Sequence, residues 1–229
     1  ESGDDNAAKV VGAIQSYVAG TAQGTLNING TFTTQGAIGQ GGKGLAAINL
    51  SNSTWANGFT TTFAHNVNAT TIQIGTATTQ NNATLQITAG GTTAGVNIAV
   101  TGNIIGGGNA TSTDNAAGGI FLVSGNATVN GSIGTSANRL AAIQIEDGTT
   151  LTILGADRNI YANNVTLKDL DGELLGTNNA TLAFNGTGTT TVYGVIAGET
   201  TEGEGLIDIN TGTVSFQNTV GSASNYISG

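Results

Sequence analysis

The chain has 229 residues, 37 of them Gly, with no Pro, Cys or Met and a formal net charge of −9. The lack of Cys excludes disulfides and thiolate metal sites. The five scattered cations (Lys9, Lys43, Arg139, Arg158, Lys168) exclude the clustered basic surface that nucleic acid requires. No run of 18 apolar residues is present to form a transmembrane helix.

Residues 1–20 differ from the rest. Asp5 or Asn6 is placed to cap a helix. Ala8, Val11, Ile14 and Val18 follow at steps of three and four, and Gly20 supplies a stop. The spacing predicts a short N-terminal helix, acting as a cap over an exposed strand edge or as an assembly arm. The acidic opening Glu1-Ser2-Gly3-Asp4-Asp5 lacks the character of a secretory signal.

Residues 21–229 read as a single repetitive β domain. A short phrase returns along it: Thr25-Leu26-Asn27-Ile28-Asn29-Gly30, Thr70-Thr71-Ile72-Gln73-Ile74-Gly75, Ala83-Thr84-Leu85-Gln86-Ile87-Thr88, Ala142-Ile143-Gln144-Ile145-Glu146, Asn164-Val165-Thr166-Leu167-Lys168 and Ala180-Thr181-Leu182-Ala183-Phe184-Asn185-Gly186. Each alternates apolar with polar over a strand length, and three of the six end at Gly, a turn residue. One apolar marker can be followed through Ile28, Ile48, Ile72, Ile98, Leu122, Ile145, Leu167, Val192 and Phe216, in steps of 20 to 26 residues. A second alternation, Thr150-Leu151-Thr152-Ile153-Leu154, falls inside one interval. The expectation is an all-β chain: a right-handed parallel β-helix (β-solenoid) of about 20–26 residues and two or three strands per coil.

Composition agrees. The 38 Thr suit pleated strands, and the 26 Asn with the Gly suit tight corners, where Asn can also stack in ladders. Charged residues make up only 8%, against about 25% in an ordinary domain. The 38% hydrophobic content is patterned, unlike that of a disordered tail. The alternative architecture is a β-sandwich subunit that polymerises by donor-strand exchange, with residues 1–24 as the donated segment.

Motifs of chemistry are sparse. Gly39-Gln40-Gly41-Gly42-Lys43-Gly44 fits G-x-G-x-x-G but lacks the flanking helix and acidic partner of a dinucleotide fold. His65 is the only His, so a multi-His zinc site within one chain is excluded. Asp169, Asp171 and Glu173 alternate around Gly172 and are the candidate metal ligands, since hard carboxylate oxygens suit calcium. The same segment is also a fair solvated turn. No other cofactor is indicated. Glu199, Glu202 and Glu204 form a second acidic patch, and Trp55 is the only Trp. Eleven Asn-x-Ser/Thr sequons occur, five as Asn-Ala-Thr: Asn68, Asn82, Asn109, Asn126 and Asn179. These five are the glycosylation candidates, and equally a corner Asn followed by a strand Thr.

The phrases Asn82-Ala83-Thr84-Leu85-Gln86-Ile87-Thr88, Val100-Thr101-Gly102-Asn103-Ile104, Asn126-Ala127-Thr128-Val129-Asn130-Gly131-Ser132-Ile133-Gly134 and Leu140-Ala141-Ala142-Ile143-Gln144-Ile145 resemble autotransporter passenger repeats. They are most similar to the surface cell antigens of rickettsial type, over roughly residues 20–221. The resemblance implies a parallel β-helix displayed outside the cell, with adhesive or coat-forming roles and no catalytic residues. The expected function is thus a secreted or surface-displayed structural or adhesive protein that self-assembles into a filament or coat. Its partners would be copies of itself, other surface proteins, the host-cell surface or glycans. The alternative function is an extracellular carbohydrate-active enzyme on a β-helix, although no acid pair is marked for it.

Overall fold

Alternation of Ile, Leu, Val and Phe with Thr, Asn and Gln gives every segment one apolar face that must be buried. A computed structural model describes residues 8–51, 58–75, 83–88, 97–107, 118–168, 179–199 and 205–222, with 225 and 227. Among these residues there are strands and no helix. In chain order the first strands are β1 (Ala8–Val10), β2 (Thr25–Asn29), β3 (Phe32–Thr34), β4 (Leu45–Ser51), β5 (Phe59–Phe63) and β6 (Val67–Ile74). There follow β7 (Ala83–Thr88), β8 (Ile98–Gly106), β9 (Ile120–Ser124), β10 (Ala127–Asn130), β11 (Leu140–Ile145) and β12 (Thr150–Leu154). The last are β13 (Asn159–Ile160), β14 (Ala162–Leu167), β15 (Thr181–Val192), β16 (Val195–Gly198) and β17 (Leu206–Phe216).

The chain crosses repeatedly between two sheets. One is ordered β1-β3-β5-β7-β9-β11-β14-β16; the other is β2-β4-β6-β8-β10-β12-β15, with β13 and β17 also paired to β15. Among the described residues every strand pairing is parallel. This overturns the β-sandwich alternative, whose hairpins and Greek keys pair antiparallel.

Register stacks the inward side chains into columns. In the nine-stranded sheet Leu26, Ile48, Ile72 and Ile104 are successive partners. Single bridges extend the line through Ile133 and Ile160, and it ends at Val192 and Phe216. A neighbouring column joins Ile14, Ile38, Val67, Val100, Val129, Ile153, Phe184 and Ile209. In the facing sheet Phe63, Ile87, Val123, Ile145 and Leu167 align. Most of these side chains are fully buried, each worth about 1.5–3 kcal/mol of hydrophobic transfer.

The marker series read from the sequence does not follow one column. Ile48 and Ile72 are partners, but Ile98 pairs with Ala127 in another column and Ile145 lies in the other sheet. Steps along the first true column run from 22 (Leu26 to Ile48) to 32 (Ile72 to Ile104), wider than the expected 20–26. Each pass places strands in both sheets, and connections of unequal length let a constant count slide between them.

The N-terminal helix is also overturned. Asp5 and Asn6 lie outside the described residues. Over 8–16 the chain instead follows neighbouring strands: β1 pairs with β3, and Ile14 bridges Ile38, before bends and a turn at 17–21. Further on, Gly20 and Gln23 donate their backbone N–H groups to Gly42 and Gly44. The segment is a further pass along the stack. Edge pairing satisfies its backbone, and its β-branched Val and Ile suit extended chain. Val11, which the helical spacing placed inside, is 72% exposed.

One corner is built from glycine. A Cβ on Gly102 would overlap the Ala69 carbonyl oxygen, one on Gly131 the Gly102 carbonyl oxygen, and one on Gly186 that of Gly155. Backbone here rests on the backbone of the preceding pass. Gly102 also has φ 127°, a conformation L side chains avoid. Along this line the pairings of β6 with β8 and of β15 with β17 shift register.

Candidate functional site

Beyond that register shift, the outward residues of the nine-stranded sheet form an uncharged ladder. Thr71 partners Asn103. The bridges through Ile104, Ile133 and Ile160 place Ser132 and Asn159 next in line, and Thr191 and Ser215 continue it. The rungs lock the neighbouring pass: Asn103 Oδ1 accepts from the Ser132 backbone N–H at 2.9 Å, and Ser132 Oγ accepts from the Asn159 backbone N–H at 3.2 Å. These bonds replace sheet hydrogen bonds where the strands are interrupted.

A groove of about 480 Å³ lies over this ladder. Thr71, Asn103, Ser132 and Asn159 line it, with Ile105 as an apolar patch; Thr135 and Ser136 line one side, and Tyr161 also borders it. The 135–138 turn is held by Asn138 N–H donating to Thr135 Oγ1 at 2.9 Å and by Thr135 N–H donating to the Asn138 carbonyl at 3.2 Å. Tyr161 stacks on Tyr193 at 4.1 Å between centroids and 5° between planes, while the Arg139 guanidinium sits 5.7 Å from the Tyr161 centroid. The Tyr193 carbonyl accepts from Arg139 Nη2 at 3.4 Å and from Asn218 Nδ2 at 2.6 Å. The Tyr161 phenol is held above its ordinary pKa, chiefly by a hydrogen bond with Tyr193 and then by desolvation, with Arg139 opposing.

Shorter polar ladders occur elsewhere on both sheets. On the eight-stranded sheet Thr62 Oγ1 donates to Gln86 Oε1 at 3.2 Å, and Gln86 Nε2 donates to Ser124 Oγ at 2.9 Å. On β2 and β4, Asn49 Nδ2 donates to Asn27 Oδ1 at 2.9 Å and Ser51 Oγ to Asn29 Oδ1 at 2.8 Å.

The sequence-derived candidates fare unevenly. Asp169, Asp171 and Glu173 lie outside the described residues, as do Asn82, Asn109, Trp55, Glu202 and Glu204. Among the described residues no group of three His, Asp or Glu is placed to hold a metal. Asn68 is half-buried on β6. Asn126 is a half-buried corner whose Oδ1 accepts from the Thr150 backbone N–H at 2.9 Å. Asn66 plays the same part toward Ala99, also at 2.9 Å. Asn179 is half-buried, with an enclosed Oδ1 that has no partner among the described residues. Fuller exposure belongs to other sequons, at Asn29, Asn130, Asn164 and Asn185. His65 is exposed in a turn, and Glu199 is exposed after β16. Residues 39–44 form a corner closed by Lys43 N–H donating to the Gln40 carbonyl.

Sequence reasoning missed the groove and its Tyr pair. The signal was present in Asn159-Ile160-Tyr161 and Thr191-Val192-Tyr193, which share a polar, β-branched, Tyr order. No family model, curated protein or solved structure matches this chain.

Proposed function

We propose that the chain is a right-handed parallel β-helix serving as an extracellular or cell-surface structural and adhesive protein. One observation carries the reading: an uncharged outward ladder in register from Thr71 to Ser215, above columns of buried aliphatic residues. Successive rungs are about 4.8 Å apart, the spacing of paired strands. Such a face presents an array of donors and acceptors and little charge to hold a partner off. The handedness follows the preference of parallel crossovers for the right-handed path.

The outermost strands support self-association. β17 leaves Ile209 48% and Leu206 38% exposed, and β2 is outermost at the opposite side of its sheet. Free strand edges recruit further strands, and a contact between unlike edges propagates into a fibre. Negative-stain microscopy of the purified chain tests the reading. Elongated particles that join end to end support it. Compact monomers that release sugars from polysaccharide would replace it with the enzymatic alternative.

A further inference from the structure

The groove beside Tyr161 is a site whose ligand the adhesive reading leaves open. We propose that it binds a neutral oligosaccharide, laid along the Thr71–Asn103–Ser132–Asn159 ladder between the 135–136 turn and Tyr161. The proposal rests on the adhesive reading and names the ligand class for one face.

Size is the first argument. About 480 Å³ falls within the roughly 300–1,000 Å³ typical of ligand sites. Four rungs in line span about 14 Å, which suits an elongated ligand rather than a single small ion.

Chemistry is the second. The rungs are hydroxyls and carboxamides, each able both to donate and to accept, as a sugar hydroxyl does. Asn103 spends Oδ1 on Ser132 N–H, which leaves its amide protons to donate. Ser132 Oγ accepts from Asn159 N–H, which leaves its own proton. Ile105 offers an apolar patch for the C–H face of a ring.

Charge is the third. Among the described residues no carboxylate, Lys or Arg lines the groove. Two cations flank it: Arg139 is engaged by the Tyr161 ring and the Tyr193 carbonyl, and Arg158, next to Asn159, donates to Asn130 Oδ1 at 3.0 Å. A net charge of −9 opposes an anionic ligand. A peptide is disfavoured as well: strand addition needs a free edge, and this floor is the outer face of a sheet whose backbone is already paired. The described lining offers hydrogen-bonding groups and no acid pair, so the proposed role is binding.

The floor is pre-ordered by its bonds to the next pass, and Tyr161 is held between Tyr193 and Arg139, so little ordering cost remains for binding. The test is isothermal titration of the whole chain with cellohexaose and chitohexaose, with a heparin hexasaccharide as anionic comparison. The expected result is a dissociation constant of about 1 mM or tighter for at least one neutral sugar. Asn159→Ala keeps the backbone bond to Ser132 and should weaken binding about tenfold. Ser136→Trp, at an exposed turn position, should block binding without touching the core. Gln86→Ala, on the other sheet, should leave it unchanged. Failure of both neutral sugars to bind, equal binding by Asn159→Ala and Ser136→Trp, or tighter binding of heparin would each overturn the proposal. End-to-end particles without sugar binding would sink this proposal and spare the reading beneath it; sugar binding by compact particles that release no sugar would support the proposal and the adhesive role while removing self-assembly.

Discussion

Adding one methyl group at Gly131 should destabilise the chain far more than adding one at Gly12. Gly131 is buried at the corner after β10, and a Cβ there would overlap the carbonyl oxygen of Gly102 in the preceding pass. The corner cannot yield easily. Asn130 pairs with Thr101 just before it, and Ile133 bridges Ile104 just after it. The opposing atom is backbone, so no rotamer change relieves the contact. Overpacking of this kind costs about 1–3 kcal/mol, sometimes more. Gly102→Ala meets the Ala69 carbonyl in the same way and adds a φ of 127°, for a further 1–3 kcal/mol or about 2–6 kcal/mol in all. Two controls separate the terms. Gly41 has φ 64° and open space around it, so its Ala variant should lose only about 1–2 kcal/mol. Gly12 has open space and no positive φ, so its Ala variant should be unchanged or gain about 0.4–1 kcal/mol through the unfolded chain. Urea unfolding followed by far-UV circular dichroism reads the series, with the slope m checked for constancy. If Gly131→Ala unfolds within about 0.5 kcal/mol of Gly12→Ala, the backbone-on-backbone corner is wrong.

Other expectations can be read in the same assay. Thr61 is fully buried and its hydroxyl has no partner among the described residues; Thr61→Val should raise stability by about 1–2 kcal/mol. Ile104→Ala removes a fully buried member of the first column and should cost about 2–5 kcal/mol. Asn126→Ala strips the acceptor from the Thr150 N–H and should cost about 1 kcal/mol, with faster amide exchange at Thr150 by NMR. Tyr161 should ionise later than a free tyrosine in an alkaline ultraviolet titration, and Tyr193→Phe should bring it back down. Because its folded pKa lies above the unfolded one, its contribution to stability is complete below about pH 10 and is lost as pH rises through the folded value.

The strands themselves were legible because their alternation is local. Ala83-Thr84-Leu85-Gln86-Ile87-Thr88 is β7, with Leu85 and Ile87 buried, and Thr150-Leu151-Thr152-Ile153-Leu154 is β12, with Leu151 and Ile153 buried. The reading of Asn as a corner residue holds at Asn66 and Asn126. What escaped depends on contacts far apart in sequence. Ala8, Val11, Ile14 and Val18 match a helical stripe, yet the edge offered by β3 and Ile38 decides the conformation there. A local pattern carries no information about such an edge. The marker series failed for a related reason: Ile98 and Ile145 have the right character but belong to different columns, set by how long each intervening connection is. The groove was hidden because Tyr161 and Tyr193 meet only once register is known.

Cysteine pairing gives the most direct test of in-register parallel stacking, since the chain has no cysteine of its own to confuse the result. Thr62 and Gln86 are register partners on neighbouring strands, so their Cα atoms lie about 4.8 Å apart, inside the range a disulfide tolerates. Gln144 stands in the same column, three strands from Thr62, about 14 Å away and out of reach. Oxidation of the Thr62→Cys, Gln86→Cys variant should close an internal disulfide, seen by mass spectrometry of the monomer, whereas Thr62→Cys, Gln144→Cys should stay reduced. A bridge in the second variant and none in the first would contradict the stack on which every other statement about this chain depends.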